Sequence, residues 1–166
     1  KAFIDRIARD VLVADGAIGE VVHVSATFAL ARPYDGAHRI FNPATAGGAL
    51  LDLGIYPLTF ARLVLGAPTT VAASSRVSHG VDLSTQMLLG HASGATAALG
   101  CSFEAALPTV GEIHGTHGRV VVPDFLGATS FAVLRQGRAG GLEEPEEVVV
   151  ELRDDLVDAA VAEHHG

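Results

Sequence analysis

The sequence predicts an α+β fold: a largely antiparallel, mixed open sheet with helices on one face. Three observations carry this. Residues 1–15 and 47–65 repeat their apolar positions at helical spacing. From Thr69 onward the period changes to two. The joints between the later segments are short and marked by glycine, proline or aspartate, so successive strands turn back on themselves. Helices and a meander of this kind pack as two layers around one core, and 166 residues suit one domain.

The elements follow in order. In residues 1–15, Phe3, Ile4, Ile7, Ala8, Val11 and Leu12 form an apolar stripe, and Gly16 stands where a helix C′ residue belongs. Val22, Val24, Ala26 and Phe28 alternate with His23, Ser25 and Thr27, a half-buried strand. Pro33, Gly36, Asn42 and Pro43 make 32–45 a loop. The second helix, 47–65, ends at Gly66 and Pro68, and Pro57 predicts a break near 54–56. Strands are expected at 69–78, 83–91, 95–104, 110–115, 119–122, 130–135 and 147–152, with an exposed loop at 137–145 and a final short helix over 154–165.

Composition narrows the function. Lys plus Arg is 11 and Asp plus Glu 19, a net charge of −8, which argues against nucleic acid and anionic membranes as partners. Cys101 is the single cysteine, so there is no internal disulfide and no cysteine-cluster metal site. Asp52, Pro57 and Arg62 interrupt the longest apolar stretch, which argues against a membrane span, and Asp5, Arg6, Arg9 and Asp10 spoil any signal-peptide core. A reduced, cytoplasmic setting is expected. The mean hydropathy of +0.37 is high, so some face is expected to be covered by another domain or subunit, unless alanine content alone accounts for it.

The chemistry begins with an absence. Neither G-x-G-x-x-G nor G-x-x-x-x-G-K-[ST] occurs, Gly47-Gly48 lacks the third glycine of a phosphate loop, and Lys1 is the only lysine. No nucleotide cradle is recognisable. The informative segment is 46–58. Asp52 and Tyr56 stand four apart, on one face of a helix, and Asp52 is an acid within an apolar run. Such a tyrosine can pass a proton to or from a substrate hydroxyl. Equally, Asp52 can cap a helix end and Tyr56 can be a half-buried anchor. Arg39 and His38 precede the motif and could reach a polar substrate or simply be solvated. His114 and His117 bracket a turn without a third metal ligand in view. Cys101 reads as a small core residue.

Arg39-Ile40-Phe41-Asn42-Pro43 followed by Gly-Gly-Ala-Leu-Leu-Asp-Leu-Gly-Ile-Tyr-Pro at 47–57 resembles the C-terminal domain of the Gfo/Idh/MocA oxidoreductases. The stretches 16–21, 62–68 and 114–120 resemble the flanks of that domain in the same order. The resemblance implies a substrate-binding and dimerisation domain of an NAD(P)-dependent enzyme acting on a sugar, polyol or related hydroxy compound. It implies that Asp52 and Tyr56 match the family's Asp-x-x-x-Tyr pair, with Arg39, Asn42 and His38 on the substrate side; Asn42 stands where an aspartate is commoner. It also implies an N-terminal Rossmann domain that binds NAD or NADP and supplies a lysine from a Glu-Lys-Pro motif. Neither is in this sequence, so residues 1–166 are expected to be the C-terminal half and inactive alone. The competing readings are a non-catalytic interaction domain of the same fold and a free-standing binder of a small polar ligand. The runs 71–73, 87–89 and 120–122 predict apolar side chains on both sheet faces, and hence a homodimer through the face the helices leave open.

Overall fold

The computed structural model describes residues 16–135 and, for the backbone alone, 146–149. The expected helices at 1–15 and 154–165 and the loop at 137–145 lie outside the described residues. Among those described, eight strands form one sheet: β1 (Val21–Ala29), β2 (Pro68–Ser78), β3 (Val81–His91), β4 (Thr96–Ser102), β5 (Val110–Gly115), β6 (Gly118–Pro123), β7 (Ser130–Arg135) and β8 (Glu146–Val149). Their order is β2-β3-β4-β1-β5-β6-β7-β8. Only β1 and β4 pair in parallel, so the sheet is mixed but largely antiparallel, as expected.

The long connection from β1 to β2 carries the remaining structure. Two 3₁₀ turns, Arg39–Phe41 and Pro43–Thr45, lead into a π-helical turn at Leu50–Gly54 and then α1, Ile55–Leu65. The helix changes from the π-helical turn to α1 at Gly54–Ile55, within the window that Pro57 predicted, and the widened turn itself extends back to Leu50. Pro57 itself sits in the first turn of α1, where its missing N–H is tolerated. The widened turn precedes it, where proline can supply no hydrogen bond to the preceding turn. By length and its mean hydropathy of 1.4, the stretch Pro43–Leu65 is apolar enough to cross a membrane. Here it is folded into these short turns, and Phe60 and Ala61 of α1 are wholly buried on the sheet.

Two glycines let α1 lie close. A Cβ on Gly111 would meet the Phe60 ring at 2.6–2.9 Å, and one on Gly54 would meet the Cys101 sulfur at 3.1 Å. Phe60 therefore fills the space over β5, and the π turn rests on β4. Cys101 is a core residue with no exposure; burial, then the charge of Asp82, pushes its thiol up to about 11.

The three apolar runs do place apolar side chains on both faces, through regular alternation. Met87 and Leu89 point into the core while Leu88 is 61% exposed on the other face, and Val120 and Val122 are buried while Val121 is half-buried. The open face is mostly polar or small, with His23, Ser25, Thr27, Gln86, Ala98, Gly100, Glu112, His114 and Arg119. Val71, Ala72 and Ala73 are all exposed because β2 is an edge strand. In the runs 87–89 and 120–122 only the middle residue faces the open side, and single apolar side chains are common on a solvated face.

Candidate functional site

The loop before α1 is built on its own side chains. His38 Nδ1 accepts the Ile40 N–H at 3.3 Å, capping the first 3₁₀ turn, and Asn42 Oδ1 accepts the Ala44 N–H at 2.9 Å, capping the second. The Thr45 hydroxyl donates to the Arg39 carbonyl at 2.8 Å. Gly47 and Gly48 then close the loop, their N–H groups donating to the carbonyls of Asn42 (3.0 Å) and Ile40 (2.9 Å). A Cβ on Gly47 would meet the carbonyl oxygens of Ile40, Asn42 and Arg39 at 2.6–2.9 Å. Gly48 has φ +122°, a backbone reserved for glycine, and packs against the Asp82 carboxylate.

Asp82, on β3, is the anchor that sequence reasoning missed. Its Oδ2 accepts the Leu50 N–H at 2.8 Å and the Thr85 hydroxyl at 2.7 Å. A carboxylate thus caps the helix start from a neighbouring strand. The available signal was a lone acid between Val81 and Leu83 in a buried strand. A second missed anchor is Tyr34, which stacks on His79 with ring centroids 3.9 Å apart and packs edge-on against Phe41. His79 takes φ 54° in the two-residue His79-Gly80 hairpin turn between β2 and β3. That turn is thereby tied to the loop.

These supports deliver Arg39 to Asp52. The guanidinium donates to Asp52 Oδ1 at 2.8 Å, with the Asp52 side chain 22% exposed and that of Arg39 65% exposed. The structure therefore brings Arg39 and Asp52 together, and it places His38 and Asn42 as loop caps. Tyr56, on the first turn of α1, leans its ring edge-to-face on Phe28 at 5.5 Å. Among the described residues its hydroxyl has no hydrogen-bond partner, and it makes none with Asp52. Tyr56 lines a cavity of about 550 Å³ with Phe28, Ile55, Thr59, Phe60, Leu63, Phe125 and Leu126. Phe28, Phe125 and Leu126 left no trace in the motif-based reading, because their role depends on the sheet placing β1 and the turn after β6 beside α1.

Gly47-Gly48 does not fit a dinucleotide pyrophosphate. Its N–H groups and that of Leu50 are taken by loop carbonyls and by Asp82, whose negative charge stands where an anion would bind. Among the described residues no group of three or more histidine, cysteine, aspartate or glutamate side chains could hold a metal. The 115–118 turn instead packs locally: the Thr116 N–H donates to the Glu20 carbonyl at 2.9 Å and the His117 N–H to the Ile18 carbonyl at 2.8 Å.

Comparison with known proteins finds relatives of the whole chain. The dTDP-3,4-didehydro-2,6-dideoxy-alpha-D-glucose 3-reductase of Saccharopolyspora spinosa is 36% identical over 143 residues, 83% of this chain and 42% of the reductase. The mouse trans-1,2-dihydrobenzene-1,2-diol dehydrogenase is 33% identical over 130 residues, 75% of this chain and 38% of that enzyme. The crystal structure of a 3-ketoreductase from Actinomadura kijaniata, in complex with NADP and TDP-benzene, matches with a TM-score of 0.74 at 28% identity, over 96% of this chain and 50% of its own. The chain thus spans half or less of the length of these relatives, all of which are oxidoreductases. The model of the GFO/IDH/MocA C-terminal domain matches residues 8–121, and the chain belongs to that family.

Proposed function

We propose that this chain is the substrate-side half of an oxidoreductase that uses NAD or NADP on a sugar, polyol or related hydroxy compound. The observation that carries the reading is the free Tyr56 hydroxyl on the wall of a cavity of about 550 Å³, one helical turn after an aspartate held by an arginine. A cavity of that size suits a small molecule. The chain's own contribution is to the proton. In the reducing direction the Tyr56 hydroxyl gives its proton to the oxygen as a ketone becomes an alcohol, and in the oxidising direction the phenolate so formed takes the alcohol's O–H proton back, while NAD or NADP, when bound, supplies or accepts the hydride. Arg39 occupies Asp52 Oδ1, which leaves Oδ2 to accept a substrate hydroxyl. His38 and Asn42 serve by holding the Arg39 loop in shape. The cofactor is held mainly by residues elsewhere in the protein; a strand, G-x-G-x-x-G and Glu-Lys-Pro encoded upstream of Lys1 would supply them.

In the full-length protein, Tyr56→Phe should lower kcat by roughly 10²-fold or more, with cofactor affinity unchanged. A variant with near-normal kcat returns Tyr56 to the role of a half-buried anchor. Residues 1–166 alone should bind NAD(P)H negligibly, and micromolar binding in a calorimetric titration would contradict this. The same reading includes a homodimer through the open sheet face. Support comes from exposed Leu88, which in register stands between Ala72 and Ala98 on a small apolar plateau.

A further inference from the structure

The wall beside Tyr56 is chemically one-sided. Phe28 and Ile55 form it next to the tyrosine, and Leu63, Phe125 and Leu126 continue it along α1. Among the described residues no charged side chain lines it. Thr59 and Tyr56 carry its two side-chain hydroxyls, and the Thr59 hydroxyl already donates to the Ile55 carbonyl at 2.7 Å. Among the described residues Tyr56 is therefore the one side chain on this wall with an uncommitted polar hydrogen. The rings that build the wall are set by packing: Phe28 against Tyr56 at 5.5 Å and Phe125 against Phe60 at 5.2 Å. Ile55 and Leu126 present large apolar side chains to the space, 46% and 43% exposed. Among the described residues the nearest charged pair along the chain is Arg39 with Asp52, one helical turn before Tyr56 and outside the lining of this cavity, so a hydroxyl taken by Asp52 Oδ2 is one beside the reacting carbon and not one turned to the wall.

A ring laid on this wall meets one hydroxyl and several hydrocarbon groups. Each further hydroxyl turned toward the wall gives up water and gains no partner, a loss of roughly tenfold or more in affinity. A hydrocarbon flank loses nothing there and gains apolar contact. We infer that the substrate handled at Tyr56 is a cyclic alcohol or ketone with an apolar flank, oxygenated at and next to the reacting carbon and deoxygenated beyond it. Within the class of hydroxy compounds, this selects against fully hydroxylated sugars and polyols. The inference rests on the reading of Tyr56 as the proton-handling group.

The test uses the full-length protein with NAD⁺ and NADP⁺ and two six-membered carbocycles, trans-cyclohexane-1,2-diol and myo-inositol. Both offer neighbouring hydroxyls, and they differ in the four remaining ring positions. The expected result is a kcat/KM at least tenfold higher for the cyclohexanediol. Leu126→Asn, a change at a 43%-exposed position, should shrink that ratio fivefold or more by raising KM for the cyclohexanediol with kcat little altered. A kcat/KM for inositol equal to or above that for the diol overturns the inference. So does a Leu126→Asn variant whose ratio is unchanged. If activity is still lost in Tyr56→Phe, the functional reading survives that result; if Tyr56→Phe acts like the wild type, both fall together. Calorimetric titration with the same two compounds covers a protein that turns over neither. Tighter binding of the diol supports the inference, and equal binding or none overturns it.

Discussion

The two faces of the sheet are built to different tolerances. On the helix side, Gly47, Gly54 and Gly111 each stand where a Cβ would strike a carbonyl, a sulfur or a ring, and the Arg39–Asp52 pair depends on the loop those contacts fix. On the open side the contacts are longer and polar. His23 Nδ1 meets Thr96 Oγ1 at 2.9 Å, but Ser25 to His114 is 3.5 Å, and His114 and Arg119 each reach the Glu112 carboxylate at 3.4 Å. Close packing puts one geometry on the site, whereas solvated groups at the limit of hydrogen-bond reach leave room for adjustment. The sharpest way to break the contrast is to change one face by a single methyl and the other by a charge.

Gly47→Ala should have the largest effect, costing about 3 kcal/mol, because its methyl meets three backbone carbonyls that no rotamer can move aside. Urea denaturation measures this, and a loss under about 1 kcal/mol would mean the loop is not rigid. Asp82→Ala should follow at about 2 kcal/mol, since it strips the Leu50 N–H and the Thr85 hydroxyl of their acceptor. Because Asp82 is not in the cavity, that loss should come with displaced Arg39 and Asp52 signals in NMR spectra. Unmoved signals would detach the cap from the site.

How far the sequence announces these features depends on how local their causes are. Period-two patterning and glycine or proline joints mark β2 to β7 to within a few residues, because strand pairing here is mostly between neighbours along the chain. The parallel β1–β4 pair is invisible to such patterning, since its partners lie some seventy residues apart. At the site, Asp52 and Tyr56 stand out because helical spacing and an acid in an apolar run are local facts. Arg39 was legible as a candidate; its bond to Asp52 was not, since it depends on the loop folding back thirteen residues. Asp82, Tyr34 with His79, and the Phe28–Phe125–Leu126 wall arise from contacts between distant segments, and no pattern along the chain encodes those.

On the open face the larger effect should come from Leu88→Asp. The side chain is 61% exposed, so the fold should lose no more than about 0.5 kcal/mol. If two copies meet through this face, a buried aspartate facing its symmetry mate should weaken association by roughly tenfold or more. Sedimentation across a concentration series reads this. A wild-type chain that stays monomeric throughout would remove the dimer from the proposed function and leave Tyr56 untouched.

The smallest effect, and the finest test of the contrast, is at His114. Its ring is pushed below the ordinary 6.5, first by burial against the sheet and then by the charges of His23 and Arg119, while Glu112 pulls the other way. A histidine whose folded pKa lies below its unfolded one binds its proton less readily when folded. Its neutral form therefore contributes stability that is present above the unfolded value near 6.5 and lost as pH falls through and below it. The wild type should accordingly lose urea midpoint between pH 7.5 and pH 5, and His114→Asn should lose less over the same interval. The asparagine keeps a polar group facing Ser25 and cannot titrate. The ring is 30% exposed, so the difference should be modest beside the glycine and cap variants. Parallel curves for the two proteins would mean that Glu112 offsets burial fully, and that the open face is as indifferent to charge as to packing.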